Sequence, residues 1–141
     1  MLRAHLVLLA TSLISGGLWL SSECWETGLA APLSDPVISP NGCYRLQSFK
    51  PFWVLPDILH RKADPNEDIS PKWLPWWEYP GFYRLYDHRS GKLLGESRIY
   101  DLEQASGPIN WGVNGNVYAG MIYVGPNASN CIFDKPAPVR N

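Results

Sequence analysis

What this chain does not contain narrows its chemistry first. No Gly-x-Ser-x-Gly elbow, His-Glu-x-x-His pair or P-loop occurs anywhere in its 141 residues. Those motifs would carry hydrolase, zinc-protease or nucleotide chemistry. Histidine is scarce, with only His60 and His88 beyond the N-terminal apolar run. Charge of one sign is missing as well. A formal net charge of -1 provides no electrostatic case for nucleic acid or for an anionic lipid surface. No repeat or low-complexity segment is visible.

What is present begins at the N-terminus. One arginine, Arg3, precedes the apolar residues 4–20, and the acidic segment Glu23-Cys24-Trp25-Glu26 follows. A cleaved signal has an apolar core of roughly 7–15 residues, whereas a spanning helix wants about 20. The run lies between the two, so cleaved signal and uncleaved anchor both stay open. Small residues at Gly28-Leu29-Ala30-Ala31 resemble a cleavage site but lie well past the apolar run. Basic residues stay on the cytoplasmic side, which sends the body of the chain across the membrane.

Cysteine is sparse: Cys24, Cys43 and Cys131. In an oxidising compartment the natural pair is Cys43 with Cys131, at the two ends of the soluble part. Cys24 is left close to the membrane face, either free or paired between chains.

Thirteen prolines, seven tryptophans and seven tyrosines argue against long helices after the first segment and favour strands. The organisation expected is an export segment or anchor at 1–22, a tether at 23–41 and one domain at 42–141. That domain is expected to be mainly β, a small antiparallel sandwich or half-barrel with a long Trp/Pro-rich loop, with α+β as the second choice. Strands are expected at 43–49, 82–87, 92–100, 109–113 and 116–124. Gly91 and Asn114-Gly115 supply the hairpin turns, and residues 51–80 leave the sheet, with one helical turn near 57–61.

Within that excursion, Asp57 and His60 are spaced for one face of a helical turn, too few groups for a metal or acid–base site. Asp64-Pro65-Asn66-Glu67-Asp68 imitates the start of a calcium loop. It has Ile69 where the sharp turn needs glycine and Pro75 where the loop needs glutamate, so a solvated acidic loop explains it. No metal or cofactor is expected. Asn127-Ala128-Ser129 fits the short glycosylation pattern and carries little information.

The aromatic cluster is the candidate site. Trp53, Trp73, Trp76, Trp77 and Tyr79 fall in the proline-rich excursion, where rigid exposed aromatics make low-entropy contacts for a protein partner. They are equally suited to stack on a sugar, to sit at a lipid interface or to fill the core.

Three blocks carry a resemblance: Ser39-Pro40-Asn41-Gly42-Cys43-Tyr44-Arg45-Leu46, Lys50-Pro51-Phe52-Trp53-Val54-Leu55-Pro56, and Tyr83-Arg84-Leu85-Tyr86-Asp87 with Gly91-Lys92-Leu93-Leu94-Gly95-Glu96. Over residues 39–125 the chain resembles short bacterial envelope proteins with an N-terminal anchor and a small β-domain. Some similar proteins look like immunity proteins against toxins passed between bacteria. The resemblance implies a non-enzymatic protein-binding module at the periplasmic face of the inner membrane, or in the periplasm if the signal is cleaved. The alternative is a carbohydrate-binding module or a small envelope hydrolase using the tryptophan loop.

Overall fold

The computed structural model describes residues 1–113 and 115–127. An apolar helix, α1 (Leu2–Gly28), leads into a mostly antiparallel β-domain. α1 continues past the expected boundary at Ser22, because no proline or glycine interrupts residues 18–27. It ends at Gly28, with Leu29 N–H donating back to Trp25 O at 3.0 Å. At 27 residues and a mean hydropathy of 1.5 in its most apolar window, the helix is long and apolar enough to cross a membrane.

The expected tether is also more ordered than an arm. Residues 31–38 supply two short strands, β1 (Ala31–Pro32) and β2 (Val37–Ile38), both antiparallel to β3 (Tyr44–Lys50). Pro32 and Pro36 fit here because this is the outer edge of the sheet, where an absent N–H leaves no ladder partner unmet. The turn into β3 is closed by buried Ser39, whose Oγ accepts from Cys43 N–H at 3.1 Å and Tyr44 N–H at 3.0 Å. Gly42 takes the positive φ (69°) that this turn requires.

β3 pairs antiparallel with β4 (Pro80–Asp87), and β4 carries β5 (Leu93–Glu96) and β6 (Tyr100–Asp101) on its other side. Along β3, Tyr44, Leu46 and Ser48 are buried and Arg45 and Gln47 are half-exposed, the alternation the sequence pattern implies; Phe49, on the face of Arg45 and Gln47 by that pattern, is buried as well, stacked on Phe82. The β4–β5 turn follows the expected chemistry: Asp87 Oδ1 accepts from Arg89 N–H and Ser90 N–H, and Gly91 has φ 72°. β6 runs directly into a single helical turn, α2 (Leu102–Ala105), which buries Leu102 and Ala105.

A second sheet orders β7 (Ile109–Val113), β8 (Asn116–Ala119) and β9 (Ile122–Pro126). The sequence read 116–124 as one strand with apolar residues on both faces. In the structure Gly120, at φ 60°, turns the chain, and the run is a hairpin. Each half alternates normally, with Val117, Ala119, Ile122 and Val124 inward. Gly120 is required there, since a side chain would meet Gly107 N at 2.6 Å and Ala105 O at 2.8 Å. Gly115 has φ 74°, in keeping with the expected turn; Asn114 lies outside the described residues.

The two sheets close on each other where β5 crosses β9. A Cβ on Gly95 would lie 2.3 Å from Val124 O, so only bare backbone allows the approach. Between the sheets lies one core, built on Tyr44, Leu46, Leu85, Trp111, Ile122 and Val124. Tyr44 stacks against Trp111, and its hydroxyl donates to Asn127 Oδ1 while Asn127 Nδ2 donates to Trp111 O at 2.7 Å. The asparagine of the glycosylation pattern is thus part of the domain's inner bonding. Ala128 and Ser129 lie outside the described residues, as does Cys131, the expected partner of half-buried Cys43.

Candidate functional site

Residues 51–79 leave the sheet between β3 and β4, as the prolines dictate. Their conformation rests on two inner tryptophans. Trp77 is 7% exposed and donates Nε1–H to His60 O at 3.2 Å. Trp53 meets Trp77 edge-on at 5.1 Å, and its other contact is His60, stacked parallel at 4.1 Å between ring centres. No described residue accepts from Trp53 Nε1, so this ring is held by its faces. His60 follows a 3₁₀ turn (Asp57–Leu59), the expected helical turn, but its ring does not pair with Asp57. Its Nδ1 lies 2.9 Å from Glu26 Oε1 at the end of α1.

The middle of the excursion is closed by a two-residue bridge in which Lys62 and Lys72 exchange backbone hydrogen bonds. Two side chains of the acidic lobe between them bond its own backbone: Asp64 Oδ1 accepts from Asn66 N–H at 2.9 Å and Asn66 Oδ1 from Asp68 N–H at 3.1 Å. Those side chains shape turns. Among the described residues no three His, Cys, Asp or Glu side chains are grouped as metal ligands.

The return of the loop to the sheet is fixed by Asp101, which the sequence did not single out. It is 2% exposed. Its Oδ2 accepts from Lys62 Nζ at 2.5 Å and Glu78 N–H at 3.1 Å, and its Oδ1 from Tyr79 N–H at 2.9 Å. Burial pushes this carboxyl's pKa up, but the Lys62 ammonium and the two backbone donors outweigh it and hold the pKa below the usual range. Lys62 Nζ also donates to Trp76 O at 3.1 Å and lies over the Trp77 ring. One buried ion pair therefore orders the loop's centre and its end together.

The five aromatics expected to form one surface separate into two groups. Trp53 and Trp77 hold the loop from inside. Trp73, Trp76 and Tyr79 are 71%, 82% and 47% exposed. Adjacent Trp76 and Trp77 thus have opposite fates, 82% and 7% exposed.

Trp53 and Trp77 also divide two grooves. One lies toward α1 and is lined by Trp19, Ser22, Leu55, Leu59, Arg61 and Trp73. The other lies past the helix end and is lined by Leu29, Lys50, Phe52, Asp57, Glu78 and Tyr79. Both tryptophans line each groove. The helix end is fastened between them: Phe52 N–H donates to Glu26 O at 3.0 Å, and Arg84, paired through Nε with Glu96 at 2.6 Å, donates to Thr27 O at 2.6 Å. No family model, curated protein or solved structure matches the chain.

Proposed function

We propose that this protein is a membrane-anchored, non-enzymatic module that binds another protein on the periplasmic face of a bacterial inner membrane. The observation that carries the reading is the groove past the helix end. Its lining combines the aromatic side chains of Phe52, Trp53, Trp77 and Tyr79 with the charged Lys50, Asp57 and Glu78. Aromatic contact surface among polar groups is what protein interfaces use. Pro51 and Pro80 flank it, limiting the entropy lost on binding.

The bonds from Glu26 and Thr27 into the domain favour an uncleaved anchor. Cleavage near Ala30 would remove both residues and leave Phe52 N–H and His60 without those partners. His60 itself has a structural occupation, between Glu26 and Trp53, which fits a binding module better than a histidine-dependent hydrolase. An immunity protein blocking a periplasm-acting toxin is the sharpest version of this reading.

The test is affinity for a captured partner, using the full chain in detergent or nanodiscs. Tyr79→Ala, in the groove, and Trp76→Ala, at the 82% exposed ring next to Trp77 in the chain, should each weaken binding at least about tenfold, as interface aromatics do, with the unfolding midpoint unchanged. Unchanged affinity in both variants would remove the surface proposed here. Binding of glycan in place of protein would move the function to the carbohydrate-binding class.

A further inference from the structure

The groove on the α1 side has a different character. Its loop wall exposes Leu55, Leu59 and Trp73, and the neighbouring Val54, Ile58 and Leu74 are also exposed. Six large apolar side chains are thus exposed on two short segments of the loop, 54–59 and 73–74, more than singly scattered surface residues account for. Leu74 has φ 49°, the one non-glycine residue with positive φ among the described residues. A leucine held in that conformation and left two-thirds exposed is unusual for a side chain facing only water.

The position of this face is set by α1. The loop is bonded to Glu26, yet its wall shares a groove with Trp19 and Ser22. At 1.5 Å per residue, Trp19 lies about 10 Å along the helix from Glu26, back toward the apolar run. Residues 4–20, in helical form, are about 25 Å long, close to the thickness of a bilayer's hydrocarbon. Trp19 therefore sits near the outer hydrocarbon boundary whenever α1 spans, and Leu55, Leu59 and Trp73 reach toward the same depth.

We propose that this face of the loop is seated in the interfacial layer of the bilayer that α1 crosses. Tryptophan is favoured at that depth, where one edge is apolar and the other wet. The Arg61 guanidinium lies 4.7 Å over the Trp73 ring, placed to keep its charge at the headgroups while the ring enters the chains. The occupant is phospholipid as such. The attraction is apolar and interfacial, so it does not depend on anionic lipid, in keeping with the near-neutral chain. The domain is then held by two attachments, the helix and the loop, which fixes its tilt and keeps the Tyr79 groove clear of the membrane.

The experiment is paramagnetic relaxation of the indole signals of the full chain, ¹⁵N-labelled at tryptophan, in phosphatidylcholine nanodiscs. Two probes are compared, a phospholipid with a nitroxide near the top of its acyl chain and a water-soluble gadolinium chelate. Trp73→Phe assigns the Trp73 signal, and Trp111, in the core, is the protected control. The lipid nitroxide should relax Trp73 several-fold more than Trp111, at a rate comparable with Trp19, and the chelate should affect Trp73 little. Relaxation of Trp73 by the chelate and not by the lipid nitroxide, with Trp19 behaving as embedded, would overturn the proposal and return this face to water. Failure of the lipid nitroxide to relax Trp19 would overturn it by removing the spanning helix. Neither result depends on whether the Tyr79 groove binds a protein.

Discussion

The imidazole of His60 lies parallel to the indole of Trp53 within 7° and, through Nδ1, meets Glu26. One histidine thus connects the inner wall of the loop to the end of the apolar helix. The contact explains why an excursion with so little regular structure can hold a fixed course: the ring is stacked on Trp53 and held through Nδ1 by the Glu26 carboxylate.

Removing that connection should loosen the loop without unfolding the sheets. His60→Ala loses a stacking contact and a partly buried pair, together worth about 1–2 kcal/mol. The Phe52 amide, bonded to Glu26 O, should then exchange its hydrogen about tenfold faster. Hydrogen exchange of the full chain in nanodiscs measures this, and an unchanged Phe52 rate would contradict the role given to His60.

Trp76 and Trp77 should respond oppositely to the same substitution. Trp77→Ala opens a cavity beneath the loop and should cost about 3–5 kcal/mol. Trp76→Ala removes an exposed ring and should change stability by no more than about 0.5 kcal/mol. Thermal unfolding of the two variants, side by side, tests the division of the cluster into inner and outer members.

Asp101 should dominate acid sensitivity. Its folded-state pKa lies below the ordinary value, so its contribution is complete above the unfolded carboxylate range, near about pH 4. That contribution is lost as pH falls through the folded pKa. Asp101→Ala leaves Lys62 buried and unpaired, at about 3–5 kcal/mol near neutral pH. Asp101→Asn should flatten the acid side of the stability–pH curve. Unfolding midpoints at pH 3 and pH 7 give the comparison, and an equal acid dependence in Asp101→Asn and the parent would contradict this assignment.

Much of this architecture is legible in the sequence, for physical reasons that can be named. β3 alternates inward and outward residues over 44–48, and the turns before β3 and between β4 and β5 are marked by Gly42 and Gly91, so period and turn chemistry agree there. The apolar helix is legible from residues 4–20 alone. The β8–β9 hairpin was hidden because Gly120 sits in an unbroken apolar run, and what demands a glycine there is Gly107 crossing from elsewhere in the chain. The extension of α1 to Gly28 was hidden by acidic residues that mark the end of an apolar run without ending a helix. The candidate site was legible only as composition. Nothing local distinguishes Trp76 from Trp77, because their fates are decided by Lys62, His60 and Asp101, which approach from distant segments. The pairing of Glu26 with His60 was invisible for the same reason.

Cys43 immediately precedes β3, half-buried against the core. Bridging it to Cys131 would close most of the domain into one loop, worth about 4–5 kcal/mol in chain entropy. Peptide mapping without reduction, on protein from an oxidising compartment, should recover the Cys43–Cys131 pair. Both recovered as free thiols would contradict the compartment proposed for this domain.

The most direct measurement is site-specific photo-crosslinking in intact cells of the source organism, with a photoreactive residue placed in turn at positions 79, 76 and 73 of the full chain. The account predicts a discrete protein adduct from positions 79 and 76, and lipid adducts from position 73. Absence of any protein adduct at 79 and 76, with the chain folded and in the membrane, would contradict the central claim that this anchored domain exists to hold a protein partner.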